Sequence, residues 1–156
     1  MVEIADILSP GNVVLDLRSC RSKRQVLKEL AGHAAAAVNL DPQRLLEALR
    51  ERERLGTTGI GHGIAIPHAR MPELTRLVGL FARLDEPVDF EALDDQPSDL
   101  IFLLLAPDSA DAESLKALAR ISRLLRDPGV QQRLRQAKDR GSVYLVLTQK
   151  PESHAA

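Results

Sequence analysis

The sequence predicts a single α/β domain whose mixed, partly parallel central sheet of about five strands is flanked by helices. Three observations carry that expectation. Short apolar, β-branched runs alternate along the chain with longer segments in which apolar residues recur at helical spacing. Some consecutive runs are joined too briefly for a helical crossover, so part of the sheet must be antiparallel. Finally, 156 residues with 44% hydrophobic and 28% charged side chains suit one ordinary core that needs neither disulfides nor metals to hold it.

Each element follows from local signals. Val2 to Leu8 forms a short helical turn, stopped by Ser9-Pro10-Gly11-Asn12. Val13 to Leu17, short and β-branched, reads as a strand. Ser22 caps a helix over residues 22–38 with Val26, Leu27, Leu30, Ala31, Ala34, Ala35 and Val38 on one face and His33 in a solvated or flanking position. Asp41-Pro42 supplies an N-cap and a first-turn proline for a helix to about Arg54, with Leu45, Leu46 and Leu49 inward. A glycine loop is followed by strands at Ile64 to Ile66, Leu77 to Leu84 and Asp99 to Leu105, the last apolar on both faces and therefore central. Residues 85–98, polar and with two prolines, read as a loop anchored by Phe90. A helix is expected over Asp111 to Arg126 with Leu115, Leu118, Ala119, Leu124 and Leu125 inward. Another runs from Asp127-Pro128 to about Ala137, and after Gly141 the run Val143 to Leu147 reads as a final strand. The domain is expected to span residues 1–150, with residues 151–156 a disordered tail.

Composition excludes several functions. Aromatics are only 3%, without Trp, and the formal net charge is −1, which argues against base-stacking platforms and against a polyanionic partner such as nucleic acid. Cys20 stands alone, so it forms no intramolecular disulfide and no cysteine-based metal cluster; it reads as a partly buried small residue. The N-terminus has acidic residues at 3 and 6 and no apolar core of a leader, and nowhere does an apolar run approach twenty residues. The expectation is a cytoplasmic protein of a reducing compartment, with no direct membrane insertion and no cofactor.

The stretch GTTGIGHGIAIPHAR, residues 56–70, carries the chemistry. It is neither a dinucleotide fingerprint nor a P-loop: the third glycine is one residue early, a helix leads in where a strand should, and no Gly-Lys-Ser/Thr is present. Zinc is not expected either, since His62 and His68 lack a carboxylate or cysteine at recognisable spacing to complete a tetrahedral set. An imidazole near neutral pH offers one unprotonated nitrogen as nucleophile, while the other is fixed by donating a hydrogen bond; His68 is thereby a candidate phosphoryl acceptor. Gly59, Gly61 and Gly63 would let backbone N–H groups approach phosphate oxygens, and Thr57 and Thr58 would add hydroxyls. Arg50, Arg52 and Arg54 each stand where a guanidinium could join them, and Pro67 restricts how the histidine is presented.

Residues 52–68, RERLGTTGIGHGIAIPH, resemble the active-site signature of the enzyme IIA proteins of the phosphoenolpyruvate:sugar phosphotransferase system, fructose/mannitol class, and most of all the nitrogen-regulatory IIA branch. Ile4 to Leu8, Asn12 to Leu15, Ser22-Lys23 and Asp99 to Pro107 extend the resemblance over nearly the whole chain. It implies that His68 takes a phosphoryl group, on Nε2, from a histidine-phosphorylated HPr-like carrier, without a nucleotide, and that Arg52 is the arginine that neutralises the phosphate oxygens. It also implies a second histidine near the start of the helix after the central strand; this chain has Ser114 there. His62, where the family usually has a small or polar residue, reads as a solvent-facing loop residue.

By that resemblance the protein is expected to be a regulatory phosphotransferase whose phosphorylation state alters nitrogen- or potassium-related partners, such as a potassium transporter or sensor kinase components. Two alternatives stand beside it: a sugar-specific IIA passing phosphate to a IIB domain, and an interaction module that has lost phosphotransfer. The arginines at 120, 123, 126, 133, 135 and 140 read as a solvated helical face.

Overall fold

The structure, a computed structural model, describes residues 2–17 and 20–149; the expected tail at 151–156 lies outside them. The run at 98–107 that is apolar on both faces becomes the long strand β6 (Ser98–Pro107), and almost every side chain along it is buried. On one side β5 (Val78–Val88) pairs with β6 antiparallel, from Val78 opposite Leu105 to Arg83 opposite Leu100, and β1 (Val13–Leu17) lies parallel to β5. On the other side β3 (Ile64–Ala65) and β4 (His68–Met71) run parallel to β6 in one unbroken register, Ile64 facing Leu100 and His68 facing Leu104. β2 (Gly59–Gly61) pairs antiparallel with β3 and forms the far edge, which makes a mixed sheet of six strands.

Helices cover both faces. On one lie α2 (Lys23–Val38), capped by Ser22, whose side chain accepts from Gln25 N, and α3 (Pro42–Arg54), capped by Asp41. Their Leu27, Leu30, Leu45 and Leu49 pack on Ala65, Leu80, Ile101 and Leu103. On the other lie α1 (Ile4–Ile7), α4 (Asp111–Arg126), α5 (Pro128–Gln136) and α6 (Arg140–Thr148), packed on Ile64, Ile66, Phe81, Leu100 and Phe102. Strand alternation delivers successive side chains to the two layers. Phe81, Phe90 and Phe102 are fully enclosed, each contributing roughly 1.5–3 kcal/mol by burial. Phe90 is thus the anchor expected of its loop.

Four expectations are corrected. Val143 to Leu147 is not a strand but part of α6: Asp139 caps it by accepting from Ser142 N at 2.7 Å, and Val143 and Leu147, one turn apart, are buried while Leu145 is 70% exposed. A strand would have buried all three on one face. In α4 the inward face is Ser114, Ala117, Ile121 and Leu125; Leu115 is 69% exposed and Ala119 is also exposed, because the apolar stripe is rotated from the leucine-rich one. The loop expected at 85–98 is shorter, since β5 runs on to Val88 and β6 begins at Ser98. The glycine stretch is a hairpin rather than an open loop: β2 and β3 are joined by His62-Gly63, with φ of 58° and 82°, the left-handed pair a tight two-residue turn requires. His62 is exposed there, as expected.

Candidate active site

Among the described residues β4 pairs with β6 alone, which leaves its outer edge open, and that edge holds the candidate site. Ile66 N donates to Thr58 O at 2.9 Å. Ile66 O faces the same edge. It is met there by Nδ1 of His68 at 2.8 Å. A carbonyl only accepts, so Nδ1 carries the proton and Nε2 keeps a lone pair. Pro67 O meanwhile accepts from Leu104 N at 3.0 Å and holds the chain to β6. Arg52, in the last turn of α3, reaches the same edge: its Nε donates to His68 Nε2 at 3.1 Å and its Nη1 to Gly56 O at 2.9 Å.

Burial is the main influence that pushes the His68 pKa below the ordinary histidine value, with the neighbouring cations Arg52 and Arg70 acting the same way; the Ile66 carbonyl and the Glu53 carboxylate oppose them. The ring is therefore neutral at physiological pH, and still partly open to solvent. The site offers a nucleophilic nitrogen beside a guanidinium, an arrangement suited to an electrophile that carries anionic oxygens.

The remaining expected residues divide. The Thr58 hydroxyl donates to Glu53 and the Thr57 hydroxyl to Phe90 O, so neither proton is directed to His68. Gly59 N is taken by Thr57 Oγ1 at 3.0 Å, and a Cβ on Gly59 would stand 3.0 Å from that of Phe90; packing explains this glycine. Gly61 and Gly63 are not brought to His68. Gly63 O accepts from Asp99 N and Leu100 N, whereas His68 lies opposite Leu104, about 16 Å further along the sheet. Ser114 sits 8% exposed on the inward face of α4, over the sheet face bearing Ile64 and Ile66. Strand alternation turns His68 and Arg70 towards that face. Among the described residues no group of three or more His, Cys, Asp or Glu is placed to hold a metal ion, and no helix is long and apolar enough to cross a membrane.

The profile of the family described as phosphoenolpyruvate-dependent sugar phosphotransferase system, EIIA 2, matches residues 6–150. The chain belongs to that family. The EIIA chain is 48% identical over 152 residues to a nitrogen regulatory protein of Bradyrhizobium diazoefficiens, covering 97% of this chain and 99% of that one. It is 41% identical to the nitrogen regulatory protein of Escherichia coli over 130 residues, 83% of this chain and 80% of that one. The crystal structure of the nitrogen regulatory protein IIA-Ntr from Neisseria meningitidis superposes with a TM-score of 0.88 at 34% identity, covering 93% and 99% of the two chains. The EIIA fold and the phosphotransfer-system family expected from residues 52–68 are thereby both found.

Three residues of the EIIA site escaped sequence reasoning. Glu53 accepts from Thr58 and Lys23, Lys23 also reaches Glu91 at 3.3 Å, and Arg70 pairs with Asp111 at the start of α4. Arg70 was within reach of the sequence, since residues two apart on a strand share a face. Lys23 was not, because only the packing of α2 beside α3 brings it to Glu53. Of the arginines read as a solvated face, Arg120 and Arg135 are instead paired, with Glu3 and Asp99.

Proposed function

We propose that this EIIA domain is a regulatory phosphocarrier that accepts a phosphoryl group on Nε2 of His68 from a histidine-phosphorylated, HPr-like donor in the cytosol. The observation that carries the reading is the ring's double tether: Ile66 O fixes Nδ1–H, leaving Nε2 as the nucleophile beside Arg52. In the transfer the donor's N–P bond breaks with its electron pair returning to the donor ring, and the Nε2 lone pair forms the new N–P bond. Arg52 releases Nε2 as phosphorus arrives and turns its N–H groups to the phosphate oxygens. Positioning and charge neutralisation supply the catalysis. The added dianion then alters which partners bind. The relatives' name, nitrogen regulatory protein, supports nitrogen-related ones, and the resemblance of residues 52–68 adds a potassium transporter or sensor kinase components to the partners proposed.

The test is transfer from phosphoenolpyruvate through enzyme I and an HPr-type carrier, followed by intact mass spectrometry and site mapping at neutral to alkaline pH. One acid-labile phosphate on His68 is expected. Label on another residue, or none in the folded protein, overturns the assignment. Offering the phosphorylated protein a fructose- or mannitol-type IIB separates the roles: rapid onward transfer would favour sugar uptake over regulation.

A further inference from the structure

Glu53 follows Arg52 in the last turn of α3, yet its side chain is turned inward and is only 7% exposed. Its carboxylate accepts from Thr58 N at 3.1 and 3.3 Å, from the Thr58 hydroxyl, and from Lys23 Nζ at 3.1 Å. A buried carboxylate is tolerated only when paired and hydrogen-bonded, and here its partners are Lys23 and one short turn of chain. That turn is the piece on which both halves of the site depend. Gly56 O holds the Arg52 guanidinium, and Thr58 O holds Ile66 N, whose own carbonyl orients His68.

We propose that Glu53 is a positioning residue for phosphoryl transfer, setting the placement of Arg52 relative to His68 through its grip on Thr58. Resting on the phosphoacceptor reading above, this assigns a role to a group that touches neither the ring nor the incoming phosphate. Without the grip the 56–58 turn is free to shift, moving Gly56 O and Thr58 O together and so misaligning the arginine and the imidazole at once. A displacement of about 1 Å between reacting groups is enough to slow a positioned reaction a hundredfold. Lys23 completes the device by neutralising the carboxylate, so that a buried anion beside the site does not repel the phosphoryl group.

The test compares Glu53→Gln and Thr58→Val, both close in shape to the native side chains, with the unaltered protein. Initial rates of His68 phosphorylation are measured over a range of phosphorylated HPr-type donor, and ring nitrogens of the unphosphorylated protein are observed by 15N NMR. Both variants are expected to lower the maximal rate about tenfold to a hundredfold at an unchanged half-saturating donor concentration. The ring should pass from one Nδ1–H tautomer to a mixture, and Thr58→Ser should retain most of the rate. Native rates and a native ring spectrum in folded variants overturn the proposal. Should Glu53→Gln fail to fold, Thr58→Val decides, since it keeps the backbone N–H and removes only the hydroxyl. If the unaltered protein takes no phosphate on His68, the functional reading falls, and the ring spectra still decide whether Glu53 positions the imidazole.

Discussion

Arg52 Nε stands 3.1 Å from His68 Nε2, although the two residues lie sixteen apart in the chain and arrive on a helix and a strand. The contact spans the open edge of β4, where α3 ends and, among the described residues, no further strand intervenes. The guanidinium occupies the ring's one free lone pair, so in the proposed transfer it is both the ring's resting partner and the nearest cation for the phosphate.

His68→Ala should abolish acid-labile phosphorylation, and Arg52→Ala should slow it about a hundredfold, the usual loss when one charge-stabilising donor is removed. Because Arg52 helps to hold the His68 pKa down, its removal should also move the ring's titration midpoint upward. Rapid-quench labelling and NMR titration check the two effects. An unchanged rate would remove Arg52 from the site.

The depressed pKa of His68 fixes a pH dependence. Since the folded state binds the proton less readily than the unfolded chain, the stability contributed by the neutral ring is present above the unfolded value, near 6.5. It is lost as pH falls through the folded value. Urea unfolding between neutral and mildly acidic pH should show this acid-side decline, and His68→Gln should remove its share. Phosphoryl acceptance should persist somewhat below pH 6.5, where an ordinary histidine would already be protonated.

Gly63 lies in the hairpin turn at φ 82°, distant along the sheet from His68. Gly63→Ala should destabilise the protein by about 1–2 kcal/mol, the cost of a left-handed alanine, and by more if Arg135 cannot shift aside. The phosphorylation rate per folded molecule should stay unchanged. Denaturation and labelling of the same preparation separate the two, and a slower folded protein would return Gly63 to the phosphate cradle.

Ser114→His should leave labelling of His68 at least as fast as in the unaltered protein. Ser114 is on the sheet face towards which His68 and Arg70 turn, so an imidazole there adds a donor without displacing Arg52. A slower transfer would show that the small side chain is required.

Leu145→Glu should change stability by no more than about 0.5 kcal/mol, as exposed substitutions do, whereas Leu147→Ala should lose about 2–5 kcal/mol. Thermal unfolding of the pair tells a helix from a strand, because a strand would make both positions equally sensitive.

The strands at 13–17, 77–84 and 99–105 and the helices at 22–38 and 42–54 were readable because in each the apolar spacing, the caps and the length agree. The same signals failed at residues 143–147, where five residues of β-forming character outweighed one aspartate cap. They fail again in α4, where Leu115, Leu118 and Leu124 suggest the inward face but Ser114, Ala117, Ile121 and Leu125 are the residues buried against the sheet.

What the sequence determined by itself was the family, through the EIIA signature, together with a candidate acceptor: His68 behind Pro67, with an arginine sixteen residues upstream. Only the tertiary structure decided which glycines and hydroxyls belong with that histidine. Gly61 and Gly63 are neighbours of His68 in sequence, but an extended strand separates residues by about 3.3 Å each and carries them to the far end of the sheet. Lys23 and Glu53, thirty residues apart, meet because α2 packs beside α3. Chain order records spacing along one element, whereas a site is assembled where different elements end side by side.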